Sequence, residues 1–198
     1  MTGNELGDKR GRPRRYDFAP DADCRNEFMA YSISALDELL ERVVDQIEDL
    51  PGEAFAFCGE GVWFSLGWLP LHLAVSELNQ TNKMARGLGK DTLELDPSFH
   101  ARLRYGDLHA DGSVPEELWD AGLMIDAMRR VRREVTVPFC KTISDPDQTL
   151  RGEDSLTSPR NVIMHQMWHW SFHSGHIGLL RLEWGSDYEW TMAPAPAT

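Results

Sequence analysis

The repeating apolar pattern of residues 33–50 constrains the fold of this chain more than any other feature of the sequence. The apolar residues that follow one another there, in alternating steps of three and four, are Ile33, Leu36, Leu40, Val43, Ile47 and Leu50. An α-helix has about 3.6 residues per turn, so this spacing places all of them on one face. The segment is therefore predicted to be a long amphipathic helix that packs on other helices and ends at Pro51-Gly52.

Two further helices are indicated by similar apolar spacing. The first spans about 65–86, and Pro70 is expected to kink it or displace its start, because proline has no backbone N–H to donate. The second is expected to begin at Ser113, where Ser-Val-Pro-Glu has the form of a capping box, and to end before Pro138. Between them, residues 87–112 are rich in glycine and aspartate and are expected to form a long connection.

The fourth predicted helix has clear signals at both ends. Ser158-Pro159 supplies an N-cap and a first-turn proline, and Gly185 is placed to end the helix after Trp184. A second long connection is expected before it, at 141–157. No segment alternates polar and apolar residues as a half-buried strand does. The sequence therefore predicts an all-α fold, a four-helix bundle with long connections.

Length and charge narrow the organisation and the partners. The 198 residues fit one domain, expected over 24–190, with a flexible N-terminal arm at 1–23 and a C-terminal tail at 191–198. A net charge of −12 repels phosphate backbones, which argues against nucleic acid as a partner. No stretch approaches the ~20 apolar residues that span a bilayer, so no membrane partner is expected. A polar N-terminus and unpaired cysteine spacing favour a cytoplasmic protein.

The histidines of the fourth predicted helix form the strongest candidate site. His165, His169, His173 and His176 are separated by four, four and three residues, which places them within roughly 80° on one helix face. Imidazoles at i and i+4 are close enough to share one metal ion, and His72 is the histidine available on the other three helices as a third ligand. The alternative is a face of hydrogen-bonded or merely polar histidines without metal.

Two segments of the chain resemble the DinB/YfiT-like superfamily. Residues 165–177 have the histidine steps of that family's last helix and read His-Ser-Gly-His-Ile where members typically have His-Arg-Gly-Gln-Ile. Residues 65–74 are similar to its second-helix pattern, in which His72 is followed by Leu-Ala. The order of helices and the long connection after the second one also agree, so the resemblance covers roughly residues 25–185.

The resemblance implies a four-helix bundle that binds one divalent cation, commonly nickel or zinc. By position, the matching ligands are His72, His169 and His173, and His165 would lie around them without binding the metal. His176 replaces the usual glutamine, which leaves open whether it is a fourth ligand or a group that orients one.

The resemblance also implies a function. Similar proteins include transferases and isomerases that use low-molecular-weight thiols, so a metal-dependent enzyme of the transferase or hydrolase type, acting on a small-molecule substrate, is expected. The family name comes from damage-inducible expression, which suggests a stress response. Two alternatives remain: a non-catalytic metal-binding bundle with a structural or sensing role, and a metal-free bundle that associates as a homodimer. Glu77 is expected to be either a general base or a solvated surface carboxylate. Each of Trp68, Trp168 and Trp170 is expected to be either a pocket wall or a core residue.

Overall fold

The computed structural model describes residues 6–15, 18–152 and 156–194, and these are mostly helical, as predicted. The helices are α1 (Glu27–Ile47), α2 (Trp68–Gly87), α3 (Pro97–Leu103), α4 (Ala121–Val131), α5 (Val137–Lys141) and α6 (Pro159–Trp184). Three short 3₁₀ segments are Gly52–Ala56, Arg104–Gly106 and Glu116–Leu118, and a π-helical turn is Arg132–Thr136. Two short parallel strands are β1 (Lys9–Arg10) and β2 (Tyr188–Glu189), with Lys9 opposite Tyr188.

Helix α1 confirms the apolar stripe. Every residue of the stripe from Ile33 to Leu50 is buried, and each fully buried aliphatic side chain of this kind contributes roughly 1.5–3 kcal/mol. The side chain of Asn26 caps the helix by accepting hydrogen bonds from the backbone N–H groups of Phe28 and Met29. The helix ends at Ile47, before Pro51, as the sequence indicates.

Helix α6 follows its end signals, and the start of α2 is displaced from the expected position near residue 65. Pro70 displaces the start of α2 to Trp68 and then lies in its first turn, where the missing N–H costs no intrahelical hydrogen bond. Ser158 caps α6 by accepting a hydrogen bond from the N–H of Asn161. Gly185 ends the helix with a positive φ of 107°, a conformation that glycine adopts without steric cost.

The prediction for the third helix is wrong at both ends. Ser113 lies in a loop, and α4 begins only at Ala121, where the Asp120 side chain accepts from the N–H of Leu123. The helical path does not end before Pro138, because the π-helical turn Arg132–Thr136 leads directly into α5. This wider turn changes the register of the backbone hydrogen bonds. Pro138 then occupies the first turn of α5, where a missing N–H is tolerated.

Within the segment expected to be a flexible arm, Lys9 and Arg12 are bonded to α1. Asp45 of α1 is fully buried, and its carboxylate accepts hydrogen bonds from the Arg12 backbone N–H at 2.8 Å and the Tyr188 hydroxyl at 2.6 Å. Lys9 adds an ion pair at 3.4 Å. A buried carboxylate requires such partners, which is why this basic segment is held in place. Residues 1–5 and 16–17 of the expected arm and 195–198 of the expected tail lie outside the described residues.

The packing of the long helices brings α2 and α6 together. Helix α6 lies against both α1 and α2, and α2 also lies against α4, around one apolar core. The connection 87–112 contains α3 and the 3₁₀ turn Arg104–Gly106, which contacts α2. Among the described helices, none has the length and apolarity needed to cross a membrane.

Candidate metal centre

Three histidines from α2 and α6 converge on one point. His72, His169 and His173 each offer a ring nitrogen, and these three atoms lie within 4.8 Å of one another. The Nε2 atoms of His72 and His169 are 3.2 Å apart. Two nitrogens that bind one tetrahedral ion at about 2.0–2.1 Å are separated by roughly 3.3 Å, so the spacing fits a shared metal ion. Three neutral imidazoles are also a donor set that suits zinc or nickel.

The ring of His72 is oriented by contacts on two sides. Its Nδ1–H donates a hydrogen bond to the carbonyl oxygen of Gly106 at 2.9 Å, and its face stacks on Trp68 with ring centroids 4.1 Å apart. The bond to Gly106 places the proton on Nδ1 and directs the lone pair of Nε2 toward His169. Metal-binding histidines commonly donate their other ring N–H to a backbone carbonyl in this way.

Gly106 can approach His72 because it has no side chain. A Cβ atom at this position would overlap with the backbone of Leu71 and His72 in α2. Sequence reasoning missed this residue, because a glycine in a long connection carries no signal of which helix it contacts. The carbonyl of Gly106 is nonetheless the group that sets the proton position of His72.

Gly106→Ala is expected to weaken metal binding. The new methyl group must move the turn away from α2, and the loss of a partner that orients a ligand typically lowers metal affinity by about 10–100-fold. Competition with a chromophoric zinc chelator measures the change. Gly175→Ala is the matched control, because a Cβ at Gly175 of α6 meets open space. Equal affinity of the Gly106 variant and the control would show that the Gly106 carbonyl does not support the site.

His165 and His176 flank the three converging histidines. His176 Nδ1 lies 3.3 Å from Nδ1 of His173. The His165 ring stacks against His169 with centroids 5.9 Å apart. Among the residues that the structure describes, neither belongs to the group whose ligand atoms converge.

His176→Gln is expected to retain one metal ion per chain at saturating concentration. The substitution removes only a neighbour of His173, so affinity should fall by about 10–100-fold rather than vanish. Elemental analysis after equilibration with excess zinc checks the stoichiometry. If this variant binds no more zinc than His173→Ala, His176 is itself a ligand.

Burial keeps the converging histidines neutral. Desolvation and, to a smaller extent, the neighbouring imidazoles lower the pKa of His169 to about 4 and that of His173 to about 3. Burial also lowers the pKa of His72, although its bond to Gly106 and the carboxylate of Asp107 oppose the shift. The neutral imidazole is the form that binds a metal ion, so at pH 7 the site is ready for one.

Metal affinity is expected to be nearly constant from pH 7 to about pH 5 and to fall steeply as the pH passes through about 4. Protons compete for the ring nitrogens only near the folded-state pKa values of His169 and His173, which lie well below the value of about 6.5 for a free histidine. Zinc competition titrations across this range test the profile. Half-loss of affinity near pH 6.5 would contradict it.

The metal-free protein should lose stability over a different pH range. These histidines take up protons near pH 6.5 when unfolded but only near pH 3–4 when folded, so the unfolded state binds more protons between these values. The free energy of unfolding therefore decreases as the pH falls from about 6.5 to about 4.

Of the other candidate residues, Glu77 and Trp168 are placed differently from expectation, whereas Trp68 and Trp170 are core residues. Glu77 is neither a base at the site nor a surface carboxylate: it is 1% exposed, and Arg132 donates to both of its oxygens at 2.7 Å. Trp170 is buried and donates its Nε1–H to Glu77 at 2.9 Å. Trp68 is buried against His72. Trp168 is 61% exposed, so core packing is wrong for this residue.

A small polar cavity opens beside His72. Its volume is about 210 Å³, and its walls come from α2 and the segment after Gly106. The polar side chains that line it with His72 are Ser76, Asn79, Gln80, Asp107 and His109. A larger cleft of about 690 Å³ lies between α1 and α6, on the face of α6 that carries Ser174 and Gly178 rather than the histidines.

Comparison of the chain with models of known families and with curated proteins found no match.

Proposed function

We propose that this chain is a metal-dependent enzyme whose His72, His169 and His173 hold one divalent ion, nickel or zinc. The observation that carries the proposal is the convergence of three neutral ring nitrogens, one of them oriented by the Gly106 carbonyl. The resemblance of residues 65–74 and 165–177 to DinB/YfiT-like proteins supports a four-helix bundle of that type, with a transferase or hydrolase activity and a role in stress response.

The donor set favours a reactive site over a closed one. Three histidines leave at least one coordination position for another ligand, whereas structural sites usually fill four positions with protein groups. When bound at such a site, a divalent ion lowers the pKa of a coordinated water or thiol toward neutrality. A low-molecular-weight thiol is therefore a suitable co-substrate, and a small molecule that enters beside His72 is a suitable substrate.

The side chains around the site supply orientation rather than proton transfer. Gly106 fixes the ring of His72, and His176 Nδ1 lies 3.3 Å from Nδ1 of His173. Trp68 covers one face of His72 and excludes water from it. These contacts hold two of the ligands in one geometry, and such preorganisation is what an open metal site needs in order to activate a bound group.

Cobalt substitution tests the proposal. Co²⁺ in place of zinc is expected to bind with about one equivalent per chain, to show the intense visible bands of a tetrahedral site, and to gain a thiolate-to-metal charge-transfer band when a thiol such as 2-mercaptoethanol is added. A screen for thiol-dependent group transfer by the metal-loaded protein follows. Absence of bound cobalt would reject the metal site.

A non-catalytic metal protein is the second candidate, and the position of His176 favours it. A ring nitrogen 3.3 Å from His173 could turn toward the ion and close the site with a fourth histidine. In that case the cobalt spectrum would not respond to thiol, and His176→Gln would restore the response.

A further inference from the structure

Aromatic side chains lie beside the three converging histidines, on α6 and in the segment before α2. We define the aromatic rim as Trp63, Phe64, Trp168 and Phe172. Three of them are large apolar side chains exposed to solvent: Trp63 is 53% exposed, Trp168 61% and Phe172 48%. Such residues are ordinarily expected to be scattered or covered, so their concentration at one site needs a reason.

The rim forms a continuous series of ring contacts with the histidines. Phe172 contacts His173 and His176 with centroids 5.2 and 4.4 Å apart, and Trp168 stacks on Phe172 at 5.3 Å. On the other side, Phe64 lies 5.8 Å from His176 and 5.4 Å from Trp63. Of the exposed rings, Phe172 contacts the converging histidine His173, and Trp168 and Trp63 adjoin the cluster through Phe172 and Phe64.

A buried donor without a partner lies in the same cluster. Trp68 is 1% exposed, and its Nε1–H makes no hydrogen bond with any residue in the described part of the chain. Its ring contacts both Trp63 and His72. Leaving a buried donor unsatisfied is unfavourable, and an oxygen atom of a bound molecule would remove that cost.

The charges at the centre favour an anionic head group. Three neutral imidazoles bring no negative charge to a divalent ion, and the Asp107 carboxylate that acts on His72 can offset at most one of its two charges. An anionic oxygen or sulfur on the ion would complete the balance, and its attached group would then extend over the rim.

On the basis of the proposed metal site, we propose that the aromatic rim binds the flat apolar body of a substrate whose anionic head coordinates the metal. The ligand class is a small aromatic molecule that carries a carboxylate, hydroxamate or thiolate. Its ring lies edge-to-face or offset on Trp168 and Phe172, the geometry that aromatic pairs prefer.

Two hydroxamates that share one head group separate the rim from the metal. Isothermal titration of the zinc-loaded protein with benzohydroxamate and with acetohydroxamate is expected to show about 10-fold tighter binding of the aromatic compound. The metal-free protein should bind neither. Equal affinities for the two compounds in protein that holds one zinc ion would overturn the rim inference while leaving the proposed function intact. Failure to bind zinc would reject the proposed function itself.

Variants locate the preference on the rim. Trp168→Ala and Phe172→Leu should each reduce the ratio of the two affinities toward one without changing zinc stoichiometry. Leu182→Ala is the matched control, since Leu182 is another exposed apolar residue of α6 but lines the cleft toward α1. An unchanged ratio in both rim variants would contradict the proposal. Sedimentation could also show a zinc-loaded dimer that dissociates in Trp168→Ala. This result would contradict the proposal as well, because a second copy of the chain would then cover the rim.

Discussion

Replacing His169 and His173 together by alanine is expected to abolish metal binding. The two rings stand one helical turn apart on α6 with centroids 4.5 Å apart, and they supply two of the three converging nitrogens. The loss of a group that merely orients a ligand costs about 10–100-fold in affinity, so the loss of two ligands should cost well over about 100-fold. Elemental analysis after dialysis against micromolar zinc measures the loss.

Histidines outside the centre provide the control. His100 lies in α3 and His109 lines the cavity beside His72, but neither belongs to the converging group among the described residues. His100→Ala and His109→Ala should therefore retain one zinc ion per chain. If the double variant of α6 retains as much zinc as these controls, the site is assigned to the wrong residues.

Removal of the Glu77 carboxylate should destabilise the fold more than any other change to a polar side chain considered above. Arg132 is 4% exposed and is held by both Glu77 oxygens, with one further contact to the exposed Asp37 at 3.0 Å. Glu77→Ala leaves this guanidinium buried without its main partner, and breaking a buried pair in this way typically costs about 3–5 kcal/mol. Urea unfolding followed by circular dichroism measures the free energy of unfolding.

Two comparisons test whether the unpaired buried charge causes the loss of stability in Glu77→Ala. In Glu77→Leu/Arg132→Met both charges are gone, so the double variant should recover much of the stability that Glu77→Ala loses. Glu41→Ala breaks the exposed pair with Arg129, which should cost less than about 1 kcal/mol. A loss below about 1 kcal/mol for Glu77→Ala itself would mean that water or Asp37 compensates Arg132.

The Glu77 ion pair also connects the fold to the candidate site. Glu77 lies on α2, five residues after His72, and it accepts from Trp170, the neighbour of His169 on α6. The pair therefore joins the two helices that carry the converging histidines. We expect partial loss of zinc affinity in Glu77→Ala even under conditions in which the variant is folded.

Much of the helical structure is determined locally. The stripe of α1, the N-cap and first-turn proline of α6, and the left-handed Gly185 act within a few residues of the structure that they specify. The arc of histidines on α6 follows in the same way from 3.6 residues per turn. These features could be predicted because neighbours along the chain are also neighbours in space.

The tertiary structure alone decided the features that depend on distant residues. The hydrogen bond between His72 and Gly106 joins residues that are 34 apart in the sequence, and that between Arg12 and Asp45 joins residues that are 33 apart. No periodicity in the sequence indicates a contact at such separations. The burial of Glu77 depended likewise on Arg132, which the unforeseen π-helical turn presents to the core. The histidine face of α6 could therefore be predicted from the spacing of its histidines, because helical geometry depends on residues that are close in the sequence. The position of the His72 ring, the place of its proton and the charges around it depend on which segments pack on α2. Burial and hydrogen bonding between distant residues exist only in the folded chain, so the sequence does not show them.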